Sequence, residues 1–387
     1  MLRESVARIA GVAALGALAI AVWFSIVLAR ADSLFRAATP EAVQRAVEIA
    51  PWNTEYLALR ALQLDYEGSD STSLTEKVAR LNPFASAPRI RLGLAREVSG
   101  DFVDAEKWLL DAAGVDHQFE PRWTLANFYF RAGRREQFWA EQFWAWMRPA
   151  LEVSYGDRTP AFDLCWRVSP NAEEILNRAI PDRHEVIGAY LVYLSQTKRL
   201  EAIVPVARRL AGDHDASDLP LLYGACDQLI EARDPGAVEV WRLAGQATPS
   251  GISNGDFAAA PLNHGFDWRV HETRGVTYVG HRIAFNGQQP ESCSLLDQRL
   301  VLINGRHYRL LWEAKTSGIR SPAGLEWRMG EQRAALSPSQ DWTQGEMLLT
   351  ARGSFEALEL AYRRPMGESR AEGTVELRHI RMLEVEP

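Results

Sequence analysis

The residues able to do chemistry are few and scattered. Cys165, Cys226 and Cys293 stand far apart and are odd in number. They form neither a disulfide framework nor a metal-binding pair, and they read as small buried hydrophobes. Asp213-His214-Asp215 is a dense acid–histidine cluster. It falls between two helical stretches and reads as a solvated loop rather than a metal site. His264, His271 and His281 lack ligand spacing and read as loop and strand surface positions. Asp256 and Glu291 are of the type that pair in glycoside hydrolysis, but nothing in the sequence brings them together. There is no His-Glu-x-x-His, no phosphate-cradling glycine loop and no Cys-x-x-Cys. The sequence thus predicts no catalytic residue, no metal and no cofactor. What remains is binding chemistry. Trp268, Trp327, Trp342 and Tyr362 have faces that can stack on sugars. Trp327 and Tyr362 are in phase with apolar neighbours and read as core, which leaves Trp268 and Trp342 as carbohydrate-binding candidates. Arg89, Arg96, Asn127 and Phe130 lie on helical stretches and are the candidates for contact with a protein or peptide.

These side chains need a scaffold, and its clearest unit is Ile90–His117. Leu92, Gly93, Ala95, Gly100, Asp101, Phe102, Ala105, Ala112 and Asp116 sit at fixed offsets within two helical stretches. Small residues at Gly93, Ala105 and Ala112 allow two antiparallel helices to approach closely. Gly100 can take the positive φ that ends the first helix, and Asp101 can cap the second. Leu92, Phe102, Leu109 and Val115 fill the seam at helical spacing. The pattern resembles the tetratricopeptide repeat, a helix–turn–helix unit. It departs at Arg89, where that family has a large aromatic, and at His117, where it has proline. The resemblance implies a solenoid whose first helices line a concave, partner-binding face, and Asn127 falls where the family presents a polar peptide contact.

Neighbouring segments repeat the unit. Pro51, Pro83 and His117 end successive copies at intervals of 32 and 34 residues, and Leu125 follows Leu92 by 33. A near-constant period means that each unit buries its apolar face on the next. Thr39-Pro40-Glu41 starts a helix, with Thr39 as cap and Pro40 in the first turn. Helices are expected over 53–66, 72–82, 86–99, 101–114, 120–132 and 135–152. The last contains Glu136–Ala140 repeated at once as Glu141–Ala145. Five residues turn through about 500°, so the second copy faces some 140° from the first. That geometry predicts either an exposed aromatic patch or a duplication that merely lengthens the helix. Six further helices follow over 158–247, where the period blurs.

Residues 9–29 carry no charge and, as a helix, span about 31 Å, the thickness of a bilayer core. Arg3 and Arg8 precede the stretch; Arg30 and Arg36 follow, with Asp32 offsetting them. The bias predicts a single-pass anchor in the inner (cytoplasmic) membrane, N-terminus in the cytoplasm and body outside it. Ala29-Arg30-Ala31 has the small-x-small form of a signal-peptide cleavage site, but the apolar run is longer than a signal core. A net charge of −7 argues against a nucleic-acid partner.

At Thr248-Pro249-Ser250-Gly251 the period changes from helical to two. Tyr308, Leu310, Trp312 and Ala314 alternate with polar or outward residues; so do Leu325, Trp327 and Met329, then Leu358, Leu360 and Tyr362, then Val375 and Leu377. Turn signals at Asn286-Gly287, Asn304-Gly305, Ser317-Gly318 and Gly353-Ser354 separate them. Eight or more strands predict a two-sheet antiparallel sandwich or jelly roll. Its opening, Ser253-Asn254-Gly255-Asp256-Phe257 followed by Gly265-Phe266-Asp267-Trp268, resembles galactose-binding-like and carbohydrate-binding-module sandwiches. In such domains early-strand residues often hold a structural calcium, here Asn254 and Asp256, although the ligand pattern is not completed.

The expected chain is multidomain: an anchor (1–31), a tetratricopeptide solenoid (32–157), degenerate helical repeats continuing it (158–247) and a β-sandwich (248–387). Its expected role is a non-enzymatic scaffold or adaptor that binds a protein or peptide outside the cytoplasm. The alternative is a carbohydrate-recognition factor in exopolysaccharide assembly or export. The combination of anchor, repeats and sandwich resembles bacterial membrane proteins linked to exopolysaccharide or exosortase gene clusters.

Overall fold

The structure is a computed structural model. It describes residues 2–133, 137–213 and 215–385, with side chains throughout these except at 2–10, 137–140 and 213. The chain divides into two compact units, Met1–Pro181 and Asp182–Pro387.

The first unit is a run of helices: α1 (Leu2–Ala37), α2 (Pro40–Ile49), α3 (Thr54–Tyr66), α4 (Thr72–Leu81), α5 (Ala87–Val98), α6 (Phe102–Val115), α7 (Phe119–Gly133), α8 (Gln137–Glu152), α9 (Thr159–Val168) and α10 (Ala172–Arg178). From α1 to α10 each helix packs on the next in sequence, as a tetratricopeptide-like array requires. The turn chemistry read from the sequence is present. Thr39 accepts a hydrogen bond from the Ala42 amide, and Asp101 accepts one from the Asp104 amide at 3.1 Å. Gly100 has φ +87. Gly93 is where α5 and α6 touch: a Cβ there would lie 2.6 Å from Leu109 Cγ. Successive first helices are stapled by ion pairs, Arg91 to Asp65 and Arg131 to Glu97.

One feature departs from the expected boundaries. α1 does not stop at the end of the apolar run; it continues unbroken to Ala37. Ala31, Leu34 and Phe35 on its last turns pack with Ala46, Ala50 and Tyr56. The same helix that carries the apolar stretch is therefore the first helix of the array. Its segment Gly11–Ala37 is long and apolar enough to cross a membrane, and the apolar window is unburied.

The second unit begins with α11 (His184–Gln196), α12 (Ile203–Leu210), α13 (Leu219–Glu231) and α14 (Gly236–Leu243). These helices, placed with the solenoid by their sequence, share a compact unit with the sheets. Ten strands follow among the described residues: β1 (Trp268–Val270), β2 (Val276–Val279), β3 (Arg282–Asn286), β4 (Ser292–Val301), β5 (His307–Ser317), β6 (Leu325–Met329), β7 (Gln332–Ala335), β8 (Thr343–Thr350), β9 (Phe355–Arg363) and β10 (Glu372–Val385). They form two antiparallel sheets, ordered β1-β4-β9-β6-β7 and β2-β3-β10-β5-β8. The alternating residues read from the sequence, among them Leu310, Trp312, Trp327, Leu360, Tyr362 and Leu377, all lie in the one core between the sheets.

Candidate binding surfaces

In the first unit, the four predicted contact residues separate into different roles. Arg89 is buried: its Nε donates to Asp111 Oδ2 at 2.5 Å and its Nη1 to the Ala85 carbonyl at 2.6 Å. The guanidinium fills the place of the family's aromatic and ties α5 to α6, so Arg89 is a packing residue and not a ligand contact. A buried cation must be paired, and Asp111 supplies that pair. Arg96 is half-buried and pairs across the same hairpin with Asp104 at 3.1 Å. Phe130 is half-buried, with its ring 6.4 Å from that of Phe143 on α8. Asn127 remains accessible in part. Its Nδ2 donates to the Trp123 carbonyl within α7, and its Oδ1 has no partner among the described residues.

The surface that remains is a ladder the sequence reading did not single out. Leu62 on α3, Leu94 on α5 and Asn127 on α7 are spaced by 32 and 33 residues, one per unit. Leu62 and Leu94 are exposed. The charged neighbours Asp65, Arg91, Glu97 and Arg131 are spent on one another, which leaves the ladder to supply contact chemistry. The signal lay in the repeat period, but leucine on a helix reads as core until the facing helix is known.

The five-residue duplication lies partly outside the described residues: Glu136 is not described, nor are the side chains of 137–140. The second copy faces inward. Phe143 and Trp144 are buried, Glu141 pairs with Arg178 at 2.6 Å, and the Arg178 guanidinium sits 5.2 Å from the Trp144 ring. His214 and the Asp213 side chain also lie outside the described residues; Asp215 caps the turn by accepting from the Ser217 amide.

In the second unit, Trp268 is in the core, at 0% exposure. Its ring stacks on Phe257 at 5.5 Å and packs on Trp327 at 6.0 Å, while its Nε1 donates to the Asn254 carbonyl at 3.2 Å. No face is left for a sugar, so Trp268 is a core residue. Trp342 is half-buried, and the Arg378 guanidinium lies over its ring at 4.0 Å, a cation–π contact that takes one face.

Asn254 and Asp256 are structural clamps. Asn254, at φ +48, closes its loop on both the amide and the carbonyl of Ala259. Asp256 accepts from the His379 amide at 2.6 Å and pairs with its ring. Gly255 has no room for a side chain, since a Cβ would fall 2.1 Å from the Ile380 carbonyl. The motif pins the irregular segment of β10, where the register with β5 shifts. Glu291 is engaged elsewhere, with Arg364 at 2.8 Å. Among the described residues no group of three or more His, Cys, Asp or Glu is placed to hold a metal ion. Cys165 and Cys226 are buried, and loss of hydration pushes the Cys226 thiol up to about 12.

Two histidines do more than the sequence indicated. Asp227 on α13 accepts from the Gly265 amide at 2.7 Å and from Arg269 Nη2 at 2.7 Å, and its other oxygen meets His264 Nδ1 at 2.6 Å. Asp297 on β4 meets His271 Nε2 at 2.6 Å and lies 3.8 Å from Arg269 Nη1. Tyr223 stacks on His264, and Trp241 packs edge-on against Phe266. The segment Gly265-Phe266-Asp267-Trp268 thus docks the last helices onto the first sheet. The Asp227 pairs join residues 37 to 42 positions apart and the His271–Asp297 pair residues 26 apart, so no short motif could have announced them.

A cavity of about 770 Å³ opens beside β6 and β9, lined by Ser321, Pro322, Glu326, Ser337, Arg363 and Met366 among others. Arg363 is exposed and its guanidinium has no ion-pair partner among the described residues.

No protein-family profile matches the chain, and no curated protein matches it. Among solved structures it is similar to a family 4 carbohydrate-binding module (CBM4; 13% identity, TM-score 0.28), a match covering 35% of this chain and 99% of that one. It is also similar to YrrB, described as a tetratricopeptide protein with an unusual peptide-binding site (12% identity, TM-score 0.27), over 53% of this chain and 92% of that one. A third is the tetratricopeptide domain of P58(IPK) (13% identity, TM-score 0.26), over 59% of this chain and 61% of that one.

Proposed function

We propose that the protein is a membrane-anchored, non-enzymatic adaptor that binds a protein or peptide on the first helices of its repeat array, outside the cytoplasm. The observation that carries this reading is the ladder Leu62, Leu94 and Asn127, one partly exposed residue per unit beside charges that are already paired. An extended peptide presents side chains at regular intervals, and a solenoid meets it with contacts repeated at its own period. Apolar contacts at Leu62 and Leu94 supply affinity, and the Asn127 amide supplies one directional bond. In this reading residues 9–29 hold the array at the membrane, and the charge bias around them favours a body outside the cytoplasm.

Photo-crosslinkers placed at 62, 94 and 127 in the full chain, in its own membranes, test this reading. They are expected to trap the same discrete partner, with nothing trapped at Lys107 on α6. Leu94→Asp is expected to cut the yield by about tenfold, the effect of losing one apolar anchor. Equal trapping at 107, or none at 62, 94 and 127, would remove the proposal.

The cavity beside β6 favours a second reading, sugar recognition by the sandwich, because it offers hydroxyls and an unpaired guanidinium. Glycan-array binding by the full chain that falls on Arg363→Ala would assign the sugar to this cavity; a fall on Trp342→Ala would assign it to the aromatic. Silence across a broad panel sinks this reading.

A further inference from the structure

Two short connections in the first unit expose large apolar side chains. In the α2–α3 connection, Pro51 and Trp52 are exposed, Trp52 at 54%. In the α4–α5 connection, Pro83 and Phe84 are exposed, Phe84 at 83%, and Leu81 at the end of α4 is exposed beside them. Large apolar side chains bared together at one edge mark a contact with something apolar.

The place of these connections identifies what they touch. Consecutive helices of the array run antiparallel, so the α2–α3 and α4–α5 connections lie at one end and the α3–α4 connection at the other. α1 enters the array at the first of these ends, straight from its apolar run. From Ala37 back to Ala29, the last residue of that run, is about 12 Å along the axis, and α2 returns about 15 Å in the opposite direction. Ala31 and Ala50 belong to one packed cluster, which confirms that the foot of α2 lies beside the top of the apolar run. Trp52 follows Ala50 by two residues. The α3–α4 connection at the far end is Glu67-Gly68-Ser69-Asp70-Ser71, with no apolar side chain.

We propose that the connections Pro51-Trp52 and Asn82–Phe84, with Leu81 at the end of α4, rest on the bilayer that α1 crosses, with Trp52 and Phe84 seated at the depth of the lipid headgroups. The inference depends on the anchor reading of residues 9–29. Trp is favoured at that depth because one end of its ring is apolar and the other can hydrogen-bond to water or headgroups. An unbroken α1 gives the array no flexible linker, so the height of these loops over the membrane is set by the helix itself. The array thus stands on its edge against the lipid, with the polar connection pointing away.

Depth measurement on the full chain in phosphatidylethanolamine–phosphatidylglycerol vesicles tests this. Nitroxides are attached at single cysteines, Ile20→Cys, Trp52→Cys, Phe84→Cys or Tyr66→Cys, in a chain carrying Cys293→Ser; Cys165 and Cys226 are buried. Tyr66 is the control, as bare as Phe84 at 86% exposure but at the far end of α3. The ratio of collision with oxygen to collision with a water-soluble nickel chelate is read at each site. At 52 and 84 it is expected to be several-fold higher than at 66 and lower than at 20. Ratios at 52 and 84 equal to that at 66, with 20 still in the bilayer, overturn the seating of the loops and leave the anchor standing. A ratio at 20 equal to that at 66 overturns the anchor and the seating together.

Discussion

Trp268→Ala is expected to destabilise the second unit by about 3–5 kcal/mol, the usual loss for a buried large aromatic cut to a methyl. The indole is at 0% exposure, stacked on Phe257 and packed at a tilt against Trp327. Trp327 in turn contacts Trp312, so the three indoles form the centre of the core between the sheets. β1 is only three residues long and pairs with β4 alone, so backbone bonding holds it weakly. The side chain does most of the holding, and it also bonds the Asn254 carbonyl, which anchors the clamp at Asn254–Phe257. Urea unfolding of the full chain, followed by amide exchange of β4 and β9, measures the effect. A loss under about 1 kcal/mol would contradict the packing account. Trp342→Ala, by contrast, removes a half-buried ring and one cation–π contact, an effect of about 1 kcal/mol or less. This contrast governs any sugar-binding assay, since lost binding in Trp268→Ala would report an unfolded domain.

Periodic information in the sequence carried the architecture. Gly93, Ala105 and Ala112 recur where helices must approach, and Leu310, Trp312, Leu358 and Leu360 alternate because one face of each strand meets the core. Such patterns are written in the local spacing. Pairings between segments are not. Arg89 read as a ligand contact because an arginine on a helix face is usually solvated; its partner Asp111 lies 22 residues away on the facing helix, and only the hairpin brings them together. Trp268 read as a stacking platform because a three-residue strand has too little alternation to show which face is in. The Asn-Gly-Asp-Phe motif looked like ligand chemistry because its residues are those that bind calcium. The same types suit a tight clamp, with a glycine that leaves room for the Ile380 carbonyl and an acid that caps the His379 amide. The Leu62–Leu94–Asn127 ladder was legible as period and illegible as surface, since exposure depends on what the other helices leave uncovered.

Asp227→Ala is expected to loosen the helices α11–α14 from the sandwich by about 2 kcal/mol, which is a factor of about 30 in the opening equilibrium. A single carboxylate holds three groups there: the Gly265 amide, Arg269 and His264. Its removal leaves Arg269, mostly buried, with only Asp297 at 3.8 Å, and leaves the Gly265 amide without its acceptor. Hydrogen bonds to a charged group are the stronger kind, and stripping one partner from a desolvated ion exposes the cost of burying the other. The loss stays below that of a fully buried pair because Asp227 keeps 22% of its side-chain surface in water. Packing supplies the rest of the junction: Trp241 lies over Gly265, where a Cβ would come within 2.2 Å of the ring, and meets Phe266 edge-on. Hydrogen exchange at Gly265 in the full chain separates the two contributions. In Asp227→Ala the amide should exchange about 30-fold faster while β4 and β9 keep their protection, because the core between the sheets does not pass through Asp227. Asp227→Asn, which retains an acceptor for Gly265 and loses the charge facing Arg269, should fall between the two. Unchanged exchange at Gly265 in the alanine variant would mean that the aromatic packing alone holds the junction, and that the carboxylate is a consequence of docking rather than its cause.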